Sequence, residues 1–303
     1  MIFITGGLGF IGSHVTRELL DRGEQVIAVR RGRGPCSFLV GRGGLRTVDG
    51  DVTDPEMWTV ATGASTIIHL AAGSTAGDPI EGVVSAVRST AHALRTAGQT
   101  RARVVCASTI GVYAGTPAAT PWPEDAALAL GVPASIPAAK KAMESLLAVA
   151  DDVDTATVRL PAVYGPLGNP ASRFFALPAL VHAAARDRAA ELSAPMTADA
   201  GIDLVEVGDA ARAIVDLALS PRLAHRVYNV GSGRATTNAE MFAAVAAARP
   251  GAHLVVEWAS ADATSPAVLD VERIRTDVGW APRRDLAEGV ARYLAWLEGG
   301  EER

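Results

Sequence analysis

Four glycines, Gly6, Gly7, Gly9 and Gly12, stand between an apolar run at Met1–Thr5 and an amphipathic stretch at Ile11–Asp21. Such an opening makes a buried strand turn at once into a helix, and few folds accommodate it. Gly6 permits the tight turn, Gly9 lets backbone N–H groups approach a pyrophosphate, and Gly12 lets the helix pack closely on the strand. The N–H groups of Phe10 and Ile11, at the helix start, have no acceptor within the helix and are available to the anion. This strand–turn–helix setting separates a dinucleotide-binding loop from an ordinary glycine turn.

The alternation continues through the first half. Apolar runs at Gln25–Arg30, Thr66–Ala71, Arg103–Ser108 and Thr155–Leu160 read as strands, and amphipathic stretches at Val83–Ala97 and Ala138–Val149 as helices. Strands separated by helical periods predict βαβ units. The expected fold class is α/β, a Rossmann doubly wound parallel sheet with a smaller C-terminal substrate-binding lobe. Residues 1–165 are expected to form the nucleotide-binding domain and 166–303 mainly the lobe, with segments near 204–230 completing the sheet. The later spacing predicts helices at Phe174–Arg188, Asp209–Leu219 and Asn238–Ala248, and strands at Leu204–Val207 and Val227–Val230. Gly115–Pro133, rich in alanine and proline, is expected to wrap the mouth of the site.

Composition narrows the partner. The chain has 303 residues, 49% hydrophobic and 20% charged, enough to bury a large core. A net charge of −5 gives no basic footprint for nucleic acid or an anionic membrane, so a small molecule is expected. Cys36 and Cys106 are the only cysteines, too few for a disulfide framework and without metal-site spacing. No apolar run reaches the roughly 18 residues of a membrane span, and no leader pattern precedes the first strand. A cytoplasmic, metal-free protein beginning at Met1 is the expectation.

The second strand ends on Arg30-Arg31, where enzymes that use NAD place a carboxylate against the ribose hydroxyls. Guanidinium groups there attract a 2′-phosphate, so NADPH is the expected cofactor. Asp51-Val52 is placed to meet the adenine; Asp51 reads equally as acceptor for the adenine amino group or as a loop carboxylate. Leu70, Ala71 and Ala72, small residues ending the fourth strand, allow close passage of the cofactor ribose.

These motifs resemble the extended short-chain dehydrogenase/reductase family, the NAD-dependent epimerase/dehydratase-like group that includes nucleotide-sugar enzymes. Further carriers of the resemblance are Ser108-Thr109 before Val112-Tyr113, Lys140 with Glu144, Arg159 through Tyr164-Gly165-Pro166, Val205–Ala213, Tyr228–Gly233 and Gly279–Pro282. The resemblance implies that Thr109, with Ser108 beside it, orients the substrate oxygen. It implies that Lys140 positions the nicotinamide ribose and that Pro161, Val163 and Tyr164 border the nicotinamide. A homodimer built from two helices per subunit is a further expectation by analogy.

One family feature is missing. The Tyr-x-x-x-Lys signature reads Ile136-Pro137-Ala138-Ala139-Lys140, and an aliphatic side chain cannot donate a proton. Tyr113 and Tyr164 fall in motifs with tyrosines of their own and read as packing residues, and His14 and His69 as structural histidines. Trp122 reads equally as a platform for a flat substrate or as packing. Ile202 stands where nucleotide-sugar enzymes carry a phosphate-binding arginine, which argues for a less charged substrate. The preferred reading is an NADPH-dependent ketoreductase acting on a polycyclic aromatic polyketide, the C7 ketone of an angucyclinone, in antibiotic biosynthesis. Protonation would come from the substrate or from water. The alternatives are a nucleotide-sugar epimerase or dehydratase with a displaced acid, and a redox-silent NADPH-binding sensor.

Overall fold

A computed structural model describes residues 1–303 except 33, 35, 72–77, 118, 173, 191–195, 261–265 and 301–303. The first half runs β1 (Ile2–Thr5), α1 (Phe10–Asp21), β2 (Val26–Arg30), β3 (Leu45–Asp49), β4 (Thr66–His69), α2 (Pro79–Thr100), β5 (Arg103–Thr109), α3 (Ser135–Val149) and β6 (Thr155–Leu160). The second runs β7 (Ala162–Tyr164), α4 (Leu177–Ala185), β8 (Gly201–Glu206), α5 (Val207–Leu219), β9 (Val227–Asn229), β10 (Ala235–Thr237), α6 (Asn238–Ala248), α7 (Glu272–Val278) and α8 (Leu286–Glu298).

Seven strands form a parallel sheet in the order β3-β2-β1-β4-β5-β6-β9, the Rossmann arrangement that the alternation predicts. The order reverses between β1 and β4, and ligands of such sheets bind beyond the strand ends at that point. Each face of the sheet is covered. Val15 and Leu19 of α1 and Ile214 and Leu217 of α5 pack on one side, and Ala93 of α2 and Met143 and Leu147 of α3 on the other. Strands buried on both faces explain why Ile2–Ile4 and Val104–Cys106 are continuous apolar runs.

A second sheet, β10-β8-β7, carries the smaller lobe, whose core joins Leu177 and Leu180 of α4, Met241 of α6 and Tyr293 of α8. Of the late segments expected near the main sheet, β9 pairs with β6, whereas β8 pairs with β7 and β10. Two helices start earlier than their apolar spacing indicates because a side chain caps them. The Asp78 carboxylate accepts from Ile80 N with Pro79 at the first helical position, and Glu206 accepts from Gly208 N and Asp209 N. Conversely, Phe174 lies exposed outside α4, which is shorter than the predicted helix.

Asp203 of β8 ties the lobe to the turn after β9. Its fully buried carboxylate accepts from Ser232 N and Oγ at 2.7 Å each, Gly233 N at 3.1 Å and Leu269 N at 3.3 Å. Replacing Asp203 by Ala strands these donors, and a loss of about 2–4 kcal/mol in unfolding free energy is expected by urea denaturation. Asp203→Asn, which keeps an acceptor, should lose less.

Candidate active site

The glycine loop builds a cradle that side chains would fill. A Cβ on Gly12 would lie 1.9 Å from the Gly6 carbonyl oxygen, and one on Gly6, whose φ is +70°, would lie 2.9 Å from Ala71 N. Gly9 occupies the N-cap of α1 with no side-chain cap, so the first N–H groups of the helix stay available to an anion. A cleft of about 870 Å³ opens there, lined by Gly6, Gly9, Phe10, Ile11, Arg31, Val52, Leu70 and Ala71. Its size and its unfilled helix N-terminus fit a dinucleotide. Ala72 lies outside the described residues.

Lys140 enters from α3. Its ammonium is buried and donates to the Ala107 carbonyl at 2.7 Å, and Ala107 lines the cleft. Burial pulls its pKa below the ordinary value, against the opposing influence of Cys106 and Glu144. An ammonium carries three donors; among the described residues one has an acceptor, which leaves two without a partner there. Ile136, one turn earlier, is half-buried, and Thr109 Oγ1 accepts from Gly111 N at 3.2 Å, its own hydrogen having no acceptor among the described residues.

Several expected residues stand elsewhere. Ser108, expected beside Thr109 at the substrate oxygen, points to the opposite face of β5 from Ala107 and donates to Glu144 at 2.5 Å. Arg30 does not face the cleft, because Asp49 on the neighbouring strand binds its guanidinium through two contacts of 2.5 and 2.6 Å. Asp51 accepts from Thr53 N and Oγ1 at 2.8 Å each, a local turn, and is not among the cleft's lining residues. Those bonds from Thr53, and more weakly the charge of Arg31, hold its carboxyl below the usual range. Pro161 and Tyr164 are buried and Val163 half-buried, outside the cleft lining.

Every tyrosine of the four is committed. Tyr113 donates to Asn229 at 2.9 Å and accepts from Arg159 at 2.7 Å, Tyr164 meets the Asp285 carbonyl, Tyr228 donates to Asp277 at 2.7 Å, and Tyr293 pairs with His182 at 2.9 Å. Burial raises the pKa of Tyr113, Tyr164 and Tyr228. Trp122 stacks on Tyr113 at 5.3 Å and 16°, the packing role. Lys141 donates to the Ala129 carbonyl and so ties the Gly115–Pro133 segment to α3. The sequence did not flag Leu167 or Trp296, which reach the cleft from the loop after β7 and from α8. Leu167 at φ +69° leaves no local signal, since leucine rarely adopts that conformation.

Burial lowers His14 and His69 from 6.5 to about 3, so both are neutral near pH 7. His69 is held by Thr5 at 2.7 Å and Ser89 at 3.3 Å, and His14 lies 3.0 Å from the Pro166 carbonyl oxygen. Below about pH 6.5 the unfolded chain takes up these protons while the native fold does not. Stability is therefore expected to fall as pH drops from about 6.5 toward 3, by at most about 1.4 kcal/mol per pH unit for each histidine. Urea denaturation across that range, with His69→Gln flattening the slope, checks this.

Residues 2–231 match the NAD dependent epimerase/dehydratase family. A dTDP-glucose 4,6-dehydratase of Streptomyces griseus is 31% identical over 97% of this chain and 93% of its own length. Bordetella bronchiseptica WbmG, solved with NAD and UDP, has a TM-score of 0.82 at 26% identity, covering 99% of this chain and 95% of that one. A Thermotoga maritima UDP-glucose 4-epimerase solved with UDP-glucose has a TM-score of 0.86 at 22% identity over 99% of both chains, which shows the shared fold. With its glycine cradle, parallel sheet and buried lysine, the chain belongs to the NAD dependent epimerase/dehydratase family.

Proposed function

We propose that this chain is an NADPH-dependent ketoreductase acting on a polycyclic aromatic polyketide in antibiotic biosynthesis, with the C7 ketone of an angucyclinone as the substrate. One observation carries the reading: Ile136 stands one turn before Lys140, and all four tyrosines are bound elsewhere. Carbonyl reduction needs a hydride, a held geometry and a proton for the developing alkoxide. A reduced nicotinamide bound in the cleft supplies the hydride. In this reading Thr109 orients the carbonyl and Lys140 holds the ribose hydroxyls. Ile136 has no proton to give, and His69 is neutral, buried and hydrogen-bonded at both ring nitrogens. The proton then comes from water or from the substrate itself, through a phenol hydrogen-bonded to the ketone. Aromatic polyketides carry such pairs, and an apolar Ile136 suits a flat ring system better than a sugar. The choice of NADPH is supported by Arg31 in the cleft lining and by the lack of a carboxylate at the end of β2.

The relatives favour a second reading more directly. Their dTDP-sugar chemistry supports a nucleotide-sugar dehydratase or epimerase with a displaced acid, and Ile202 in place of a phosphate-binding arginine weighs against it.

NADPH consumption with an angucyclinone ketone, beside NADH and a dTDP-sugar, tests the proposal. Alcohol product with NADPH is expected, with a rate at least about 100-fold lower when the neighbouring phenol is methylated. Ile136→Tyr is expected to leave kcat on the free phenol no higher. Turnover of the dTDP-sugar instead establishes the second reading, and cofactor binding without turnover of either marks a redox-silent binding protein.

A further inference from the structure

The dinucleotide cleft has a side chamber. A cavity of about 280 Å³ adjoins it, and Arg31 and Ser85 line both spaces. The chamber's walls also carry Thr53, Glu81 and Arg88. Arg31 follows the last residue of β2, whereas Arg88 comes from the middle of α2, so two elements distant in sequence bring arginines to one space. Among the described residues neither has an ion-pair partner. Arg30, the neighbour of Arg31, is engaged by Asp49.

The chamber is polarised along α2. Glu81, Ser85 and Arg88 share one helix face, with Glu81 about 10 Å along the axis from Arg88. The other acid, Asp78, accepts from Ile80 N at the helix start. Both carboxylates therefore lie toward the N-terminal end of α2, where the helix dipole favours them. Ser85, at the seam with the cleft, is less than one turn from Arg88.

We propose that Arg88 and Arg31 together form the anion subsite for the ribose 2′-phosphate that distinguishes NADPH from NADH, making Arg88 a cofactor-specificity residue. The inference rests on the NADPH reading above. A phosphate monoester carries close to two negative charges near pH 7, and planar guanidinium groups bind it through paired N–H donors. Glu81 sets the limit of the subsite, since an anion displaced toward the start of α2 meets its carboxylate.

Calorimetric titration of wild type, Arg88→Gln, Arg31→Gln and Glu81→Gln with NADPH, NADH, adenosine 2′,5′-bisphosphate and 5′-AMP tests this. Arg88 is exposed, so the variant is expected to keep the wild-type melting temperature. Arg88→Gln and Arg31→Gln are each expected to weaken NADPH and the bisphosphate about tenfold and to leave NADH and 5′-AMP within about twofold. Glu81→Gln should tighten NADPH alone. Equal weakening of NADPH and NADH by Arg88→Gln would place Arg88 on the adenine and overturn the proposal. So would an unchanged NADPH affinity in Arg88→Gln when Arg31→Gln loses it. A wild type that binds NADH as tightly as NADPH overturns the NADPH reading itself, and that ratio is read without any variant.

Discussion

The buried pair between Glu144 of α3 and Arg159 of β6 sets the geometry of the whole site. Arg159 reaches Glu144 at 2.6 Å, and the same guanidinium donates to the Tyr113 hydroxyl and the Glu124 carbonyl, while Glu144 also accepts from Ser108. A buried charge without its partner is costly, so the pair and its neighbours hold α3 at one rotation against the sheet. Residues four apart share a helix face. The rotation that presents Glu144 to β5 and β6 therefore also presents Lys140 and, a turn further on, Ile136. Lys140 then meets the Ala107 carbonyl at the edge of the cleft. Ile136 thus lies on the same helix face as Lys140 and Glu144.

The same scaffold explains why a proton donor cannot simply move in from nearby. Tyr113 belongs to the Glu144–Arg159 network, and its ring stacks with Trp122 and lies 4.9 Å from the Arg159 guanidinium. His69, which lies on β4 beside the switch point, is buried, neutral and bound by Thr5 and Ser89. Cys106 is also buried, with its thiol pushed up to about 11. Tyr113, His69 and Cys106 are thus tied into packing.

Sequence reading was strongest where local geometry alone imposes a residue. Gly6 and Gly12 were legible because a Cβ on Gly6 would meet the backbone of Leu70 and Ala71 and one on Gly12 the Gly6 carbonyl, and the alternating strands were legible because burial on both faces demands continuous apolar runs. It was weaker at caps and edges. The early starts of α2 and α5 depend on Asp78 and Glu206 accepting backbone N–H groups, which apolar periodicity does not register. The side-chain partners of Ser108 and Arg30 are not legible locally for a related reason. Sequence order put them beside the right residues, but strand alternation turned Ser108 toward Glu144, and the parallel register opposed Arg30 to Asp49.

By itself, then, the sequence determined the glycine cradle and the parallel sheet, because each follows from residue chemistry at fixed short spacing, and it placed Ile136 four residues before Lys140. Tertiary structure alone decided which charges face the cleft. Arg30 pairs with a partner 19 residues away, Arg88 reaches the chamber beside the cleft from a helix far along the chain, and Leu167 and Trp296 close the wall from the second half. Long-range packing sets these contacts, and the orientation of a side chain toward a distant strand or helix has no signature in its neighbours.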